Sequence, residues 1–343
     1  MLKMNLQLHA RQAIGAYTTL KMGFETDFGK DPADLATKAV QMPFNTCGIA
    51  ASQNKTDPAT IRGRRDPVEP IMGNIDVGGD LVVPMDATAC GYWWKASMGT
   101  PTTTAVEGKE GFFKHVFKPA DDQPSLVLEK GFPKINSYAT YNGCKVSKMS
   151  ISAGGDGELT ATISIMGCDE KISTATISAK PSEPVLNRLN NFMAELLLGG
   201  NKTATVTAFT MDIDFGLDGD TYAIGGKGYR TNVNEGLINI SGSMTAFFND
   251  NTYLELAENS TETSAELTFA TGDLKMSLLL PEIKFSRNSP SVDGPSGIKQ
   301  ELQYSAYYQD SDENAAIVVT MQNKVASYEY GVVEKWLKIK KYF

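Results

Sequence analysis

Few side chains in this 343-residue sequence could do chemistry, and their spacing argues against it. Histidine occurs twice, at His9 and His115, and neither belongs to an HExxH motif or to a His-plus-Cys ligand spacing. His115 lies in Phe112-Phe-Lys-His-Val-Phe-Lys118, an alternating run that predicts a strand with the imidazole on its surface. No GxSxG elbow, no GxGxxG after a strand and no GxxxxGK[ST] loop occurs. Nothing pairs a nucleophile with a base, so no enzymatic activity is expected, and no cofactor.

The nearest approach to a metal motif is Met211-Asp-Ile-Asp-Phe-Gly-Leu-Asp-Gly-Asp220. A calcium loop needs oxygen ligands at its first, third and fifth positions and a glutamate at its twelfth. Here Gly216 and Ala223 take the last two places. The segment reads instead as a strand from Thr207 to Phe215, with a hairpin turn at Leu217-Asp-Gly-Asp220.

Two clusters could recognise something. The arginines Arg62, Arg64 and Arg65 are framed by Asp57-Pro58 and Asp66-Pro67, as in a projecting loop with paired charges suited to protein contact. The pair Trp93-Trp94 could stack on a sugar or a base, although such pairs more often divide between the core and its boundary. The cysteines, at 47, 90, 144 and 168, show no CxxC pairing and read as free thiols in a reducing compartment.

The elements that carry these residues are written twice. Gly73-Asn-Ile-Asp-Val-Gly-Gly-Asp-Leu-Val-Val-Pro-Met85 matches Gly236-Leu-Ile-Asn-Ile-Ser-Gly-Ser-Met-Thr-Ala-Phe-Phe248, with Gly79 on Gly242. Ile75, Val77, Leu81 and Val83 fall on Ile238, Ile240, Met244 and Ala246. Asp76 and Asp80 fall on Asn239 and Ser243. This is period-two alternation, with one face dry and one wet. The strand after Asp156 (Leu159, Ala161, Ile163, Ile165) similarly matches the strand after Asp312 (Ala315, Ile317, Val319, Met321).

Helices are few. Asp86 can cap a short helix carrying Trp93 and Trp94 and ending near Gly99, and Asn249 or Asp250 can cap one carrying Tyr253, Leu254 and Leu256. A cap, Pro184 and an apolar stripe predict a connecting helix over residues 182–198. The chain therefore reads as mainly β, with two domains over residues 1–175 and 176–323 and a C-terminal extension over residues 324–343 that should dock on something.

A net charge of −8 argues against nucleic-acid affinity, because phosphate binding needs clustered Lys and Arg. No run of 18 apolar residues exists, so no membrane helix is expected, and the opening residues lack a signal h-region. A duplicated β-unit without catalytic apparatus points toward self-assembly.

The chain resembles the tail tube (major tail) proteins of long-tailed bacteriophages. The residues carrying the resemblance are Glu69-Pro-Ile-Met-Gly-Asn-Ile-Asp-Val-Gly-Gly-Asp-Leu-Val-Val-Pro84 and the helix with Trp93, Trp94 and Met98-Gly99. Further along come Phe113-Lys-His-Val-Phe-Lys-Pro119, Tyr141-Asn-Gly-Cys-Lys-Val-Ser-Lys-Met149, Leu279-Leu-Pro-Glu-Ile283 and Ile317-Val-Val-Thr-Met-Gln-Asn323.

The resemblance implies tandem β-sandwich or barrel domains, each with a short helix, related to the tubes of type VI secretion. Their sheets would join side by side into rings, and stacked rings would form the hollow conduit for DNA ejection. Two tandem domains suggest a trimeric ring of pseudo-sixfold shape. The expected partners are further copies of the chain, the terminator, the baseplate or distal tail, and a tape measure inside the lumen; DNA would pass without specific binding. The protein would be made and assembled in the host bacterial cytoplasm and reside in the virion tail.

Asp76, Asp80, Asn239, Ser241, Ser243 and Thr245 are then candidates to face the lumen, with Thr160, Thr162 and Ser164. Arg62, Arg64, Arg65, Tyr328, Tyr330 and Trp336 are candidate assembly contacts. Three other readings stay open: a carbohydrate-binding or adhesin β-sandwich using Trp93-Trp94, a baseplate or tail-terminator ring of the same fold, and a hydrolase on a β-scaffold.

Overall fold

In the computed structural model of the chain, which describes residues 12–292 and 294–328, one series of strands is laid down twice. The first pass begins with β1 (Thr19–Phe24), the one-turn helix α1 (Leu35–Lys38), β2 (Val40–Gln41), β3 (Thr46–Cys47), β4 (Ala50–Thr56), β5 (Ile71–Pro84) and helix α2 (Cys90–Met98). After the hairpin β6 (Thr102–Ala105) and β7 (Phe113–Phe117) it continues with β8 (Leu126–Phe132), β9 (Ser137–Gly154), β10 (Thr160–Gly167) and β11 (Asp169–Ser173). The second pass is β12 (Ala194–Leu198), β13 (Asn201–Lys202), β14 (Val206–Asp214), β15 (Asn239–Phe247) and α3 (Thr252–Glu258). It ends with β16 (Thr263–Thr271), β17 (Leu274–Phe285), β18 (Lys299–Tyr307) and β19 (Val318–Asn323).

The pairings repeat as well, and all are antiparallel. β1 lies on β8 and β12 on β16. The hairpin of β8 with β9 corresponds to that of β16 with β17. β10 sits between β5 and β9, as β18 sits between β15 and β17. β11 covers the first part of β9, and β19 the first part of β17. Among the described strands the β6–β7 hairpin has no counterpart, and β7 crosses to pair with β19. One apolar cluster runs through both passes.

The spacing of the apolar residues produces these strands. In β10 and β15 every second side chain is buried, and β5 buries Val77, Leu81 and Val83 where β15 buries Ile240, Met244 and Ala246. The glycines that align in the sequence do so for one physical reason. A Cβ on Gly79 would lie 2.4 Å from the Gly48 carbonyl oxygen, and one on Gly242 would lie 2.0 Å from that of Thr210. In both passes the neighbouring backbone approaches too closely for any side chain.

Three sequence expectations are corrected. The counterpart of β10 is β18, not the strand after Asp312; that strand, β19, occupies the place of β11. Both are alternating strands, and alternation cannot report which neighbour a strand chooses.

Residues 182–198 are not a helix. They run extended, with bridges from Ser182 to Val40, Arg188 to Asp86 and Asn190 to Glu158, then a 3-10 turn at Asn191–Met193 and strand β12. Their backbone groups bond to other elements, for instance Leu189 N–H to the Met85 carbonyl at 2.9 Å. Two positions of the supposed apolar stripe, Val185 and Phe192, are 73% and 86% exposed.

The hairpin turn at 217–220 is likewise absent. β14 and β15 are joined by a long excursion over residues 215–238, pinned by bridges from Asp218 to Asn234 and from Tyr222 to Arg230.

Helix α2 ends where the sequence predicts, but its N-cap is Ala89, which makes no side-chain capping bond; Asp86 instead closes the turn just ahead of it. The Asp86 carboxylate accepts from Thr88 N–H at 2.7 Å and Ala89 N–H at 2.5 Å, and the helix stops at Gly99 with φ 93°.

Candidate assembly surface

The two passes join edge to edge. β14 pairs with the end of β9, from Ala208 opposite Gly154 to Asp214 opposite Lys148. The result is one continuous sheet of eight strands in the order β4, β5, β10, β9, β14, β15, β18, β17. Its buried face carries the apolar residues of the strands from β5 to β17, while β4 adds only the half-buried Ala51.

Its other face collects the polar half in cross-strand rows. One row runs Asp80, Ser164, Lys148, Asp214, Asn239; the next runs Val82, Thr162, Ser150, Asp212, Ser241, Ser305. All nine residues expected to line a lumen, Thr160, Thr162 and Ser164 of β10 included, therefore lie on one surface. Its contacts are mutual: Ser164 Oγ donates to Asp80 Oδ1 at 2.6 Å, Ser243 N–H donates to Thr210 Oγ1 at 2.8 Å, and Lys148 pairs with Asp214 at 2.7 Å. The Lys148 hydrogen bond holds the Asp214 carboxyl below its usual range.

On this face carboxylates outnumber lysines. Asp76, Asp80, Asp212, Asp214 and Glu301 stand against Lys148 and Lys299, and Lys284 of β17, opposite Ser305, adds a third lysine. Asp76 is engaged by Arg230, whose guanidinium also reaches the Gly219, Val77 and Gly167 carbonyls.

Arg230 belongs to the 215–238 excursion, which clamps the second pass onto the first. Glu235 receives Lys145 at 2.5 Å and Gln123 N–H at 2.9 Å, and Ile75 N–H donates to the Gly228 carbonyl at 2.8 Å. Burial works to raise the Glu235 carboxyl, but Lys145 and the Gln123 N–H outweigh it and hold the group low. Sequence reasoning missed Arg230 and Glu235. Their only signal was the unexplained length between two strands in register.

The arginine cluster occupies the corresponding loop of the first pass, between β4 and β5, and it projects. Arg62 donates to the Pro67 carbonyl at 2.8 Å, Arg64 pairs with Asp66 at 2.8 Å, and Arg65 is exposed. Beside them Ile61 is 96% exposed.

Tyr328, expected as an assembly contact, is instead buried in its own chain. Its ring packs against Tyr92, His115 and Phe117, and its hydroxyl donates to the Thr88 carbonyl at 3.0 Å while accepting from Asn323 Nδ2 at 2.7 Å. Tyr330 and Trp336 lie outside the described residues.

His115 is corrected as well. It is fully buried rather than on the surface, with Nδ1 2.8 Å from Thr103 Oγ1, and burial pushes its pKa down. Trp93 and Trp94 are both interior, at 2% and 1% exposure, so a sugar has no aromatic platform there.

The acidic run at 211–220 does not converge on a point: Asp214 serves Lys148 and Gly216 N–H, and Asp218 serves Asp220 N–H. Glu262, Glu282 and Asp310 do come together, but Glu282 is occupied by the Gln309 and Asp310 N–H groups. The four cysteines are free, and three of them are buried.

No curated protein matches the chain. A family model described as phage tail tube protein matches residues 15–306, most of the chain and nearly all of both passes. The mainly β fold, the duplicated open-edged sheet and that match agree, and the chain belongs to the phage tail tube protein family, structural proteins of the virion tail.

Proposed function

We propose that this protein polymerises into stacked rings that form the hollow phage tail tube, the conduit for DNA ejection. The observation carrying the reading is the edge-to-edge repeat: β4-β5-β10-β9 is followed in one sheet by β14-β15-β18-β17. A sheet with open outer edges templates its own continuation, and closure into a ring removes the exposed edges. We read the chain as two tandem units, residues 1–175 and 176–323, so three copies would supply six such units in a trimeric ring of pseudo-sixfold shape.

The acidic face carrying Asp76, Asp80, Asn239, Ser241, Ser243 and Thr245 then lines the lumen. A duplex carries about one negative charge per 1.7 Å, and such a wall would repel it and let it slide. Arg62, Arg64 and Arg65 would reach the neighbouring copy, as the 215–238 excursion reaches across the internal junction. The role is structural rather than catalytic. The partners are further copies of the chain, the terminator, the baseplate or distal tail, and a tape measure within the lumen. Assembly would take place in the host bacterial cytoplasm.

Electron microscopy of the purified chain tests this. Long hollow tubes with threefold end-on views are the expected result. Sixfold rings would retain the tube and overturn the trimer. Rings that never stack would favour a terminator or baseplate ring, and monodisperse monomers at high concentration would overturn the reading.

A further inference from the structure

The chain carries its own template for the contact between copies. In the first pass β9 outruns its partner β8, which ends at Leu126 opposite Cys144, and the freed edge of β9 receives β14. In the second pass the end of β17 outruns β16, whose pairing ends at Thr263 opposite Ile283. Beyond it the chain keeps β18 on one side, with Phe285 opposite Tyr304, Ser286 N–H donating to the Gln303 carbonyl at 2.8 Å, and Gln300 Nε2 donating to the Asn288 carbonyl at 2.8 Å. Among the described residues no strand takes its other side. At the far end of the same sheet, among the described residues, β4 pairs with no strand but β5, while the Ile49 carbonyl just ahead of it is taken by Lys130 Nζ and, at 3.2 Å, by the Tyr141 hydroxyl. Because β3 and β4 occupy on β5 the place that β14 occupies on β15, the two vacant edges are the two halves of a contact already made once inside the molecule.

Resting on the ring reading, we propose that β4 of one copy pairs antiparallel with residues 285–289 of the next, in the register of the β9–β14 junction. Carrying that register across places Ser52 opposite Ser286 and Ala50 opposite Asn288.

The backbone directions agree. Gly48 N–H points to β5 and Ser286 N–H to β18, so Ala51, Arg287 and Ser289 direct theirs outward. Pro290, which has no N–H, stands at a position that faces β18 and leaves the docking edge intact.

The side chains differ in one telling way. The internal junction buries Met149 and Ile151, whereas the matching positions of the open edge are the exposed Arg287 and Ser289. A polar edge protects the lone subunit from indiscriminate strand pairing. The junction between copies is accordingly weaker than the one within a copy.

The test uses Ser52→Cys/Ser286→Cys in a Cys47→Ala background, oxidised during assembly. The pair sits at a non-hydrogen-bonded site, where Cα atoms approach to about 4.5 Å, within disulfide reach. We expect a reducible ladder ending in a closed ring and no ladder from either single variant. Ala50→Cys/Asn288→Cys provides a second reading of the same register.

Ala51→Pro removes an outward N–H only, so it should leave the melting curve unchanged and abolish rings. Arg287→Met/Ser289→Ile should lower the concentration needed for assembly at least about tenfold. Wild-type rings with no cross-link in either pair, and with Ala51→Pro assembling normally, would overturn this junction while leaving the tube standing. A wild-type chain that forms no rings, with cysteine pairs that form no cross-links, would overturn both.

Discussion

The Lys148 ammonium and the Asp214 carboxylate meet 2.7 Å apart across the strand pair that joins the two passes. The pair lies on the wet face of the sheet, where water screens it. Asp214→Asn should therefore lower the melting temperature by less than about 2 °C, and 1 M salt should erase the difference. The carboxyl is held low, so whatever it contributes is present above the unfolded value near 3.9 and lost as pH falls through the folded one. Differential scanning calorimetry of both proteins at pH 7 and pH 3 checks the size and the sign; a large loss at neutral pH would mean the junction rests on this pair.

Tyr328 seals the space between α2 and β7, and a buried aromatic of that size is expensive to lose. Tyr328→Ala should cost about 3–5 kcal/mol in urea denaturation, while Tyr328→Phe, which gives up only the hydroxyl contacts, should cost about 1 kcal/mol. Gly91→Ala is an independent probe, because its Cβ would lie 2.0 Å from the Tyr328 ring. Near-wild-type stability of Gly91→Ala would show that the ring can leave its place.

His115 should make stability depend on pH in a defined direction. Burial lowers its folded pKa below the unfolded value near 6.5. The folded state thus binds fewer protons, so its contribution is complete above about pH 6.5 and lost as pH falls toward the folded pKa. Denaturant midpoints between pH 7.5 and pH 5 should fall more steeply for the wild type than for His115→Gln. Parallel slopes would contradict a buried neutral imidazole.

Gly79 and Gly242 should fail alike. Alanine at either forces a Cβ onto a backbone carbonyl that cannot rotate away, at 2.4 Å and 2.0 Å. Each substitution should destabilise by several kcal/mol, far beyond the ordinary cost of a surface change. Thermal melts that left Gly242→Ala within 1 °C of wild type would show that the strands separate freely.

These glycines also show how much of the fold was legible in the sequence. Where a glycine is required at the same step of two strands, and apolar residues alternate around it, chain order and pairing order coincide; β5 and β15 could be matched residue by residue. The same alternation in β10 and β19 misled, because a period of two fixes which face is buried and says nothing of which edge is shared. Residues 182–198 misled differently. Val185, Leu186 and Phe192 complete a helical stripe on paper, yet the backbone there finds its hydrogen bonds on residues far away in the chain. The wet face was legible as a set of polar residues. That all nine candidates share one sheet depends on the β9–β14 pairing, a contact between residues far apart that local patterns do not encode.

The β6–β7 hairpin, present in one pass only, ties the first pass to the last strand of the second. β7 finds its partner in β19, so a strand made early waits with an open edge until almost all of the chain exists. Such distant closure slows folding, since loop entropy must be lost before the contact repays it. It also makes the pairing a completeness check: a chain cut short before Val318 would leave this edge of β7 without its strand.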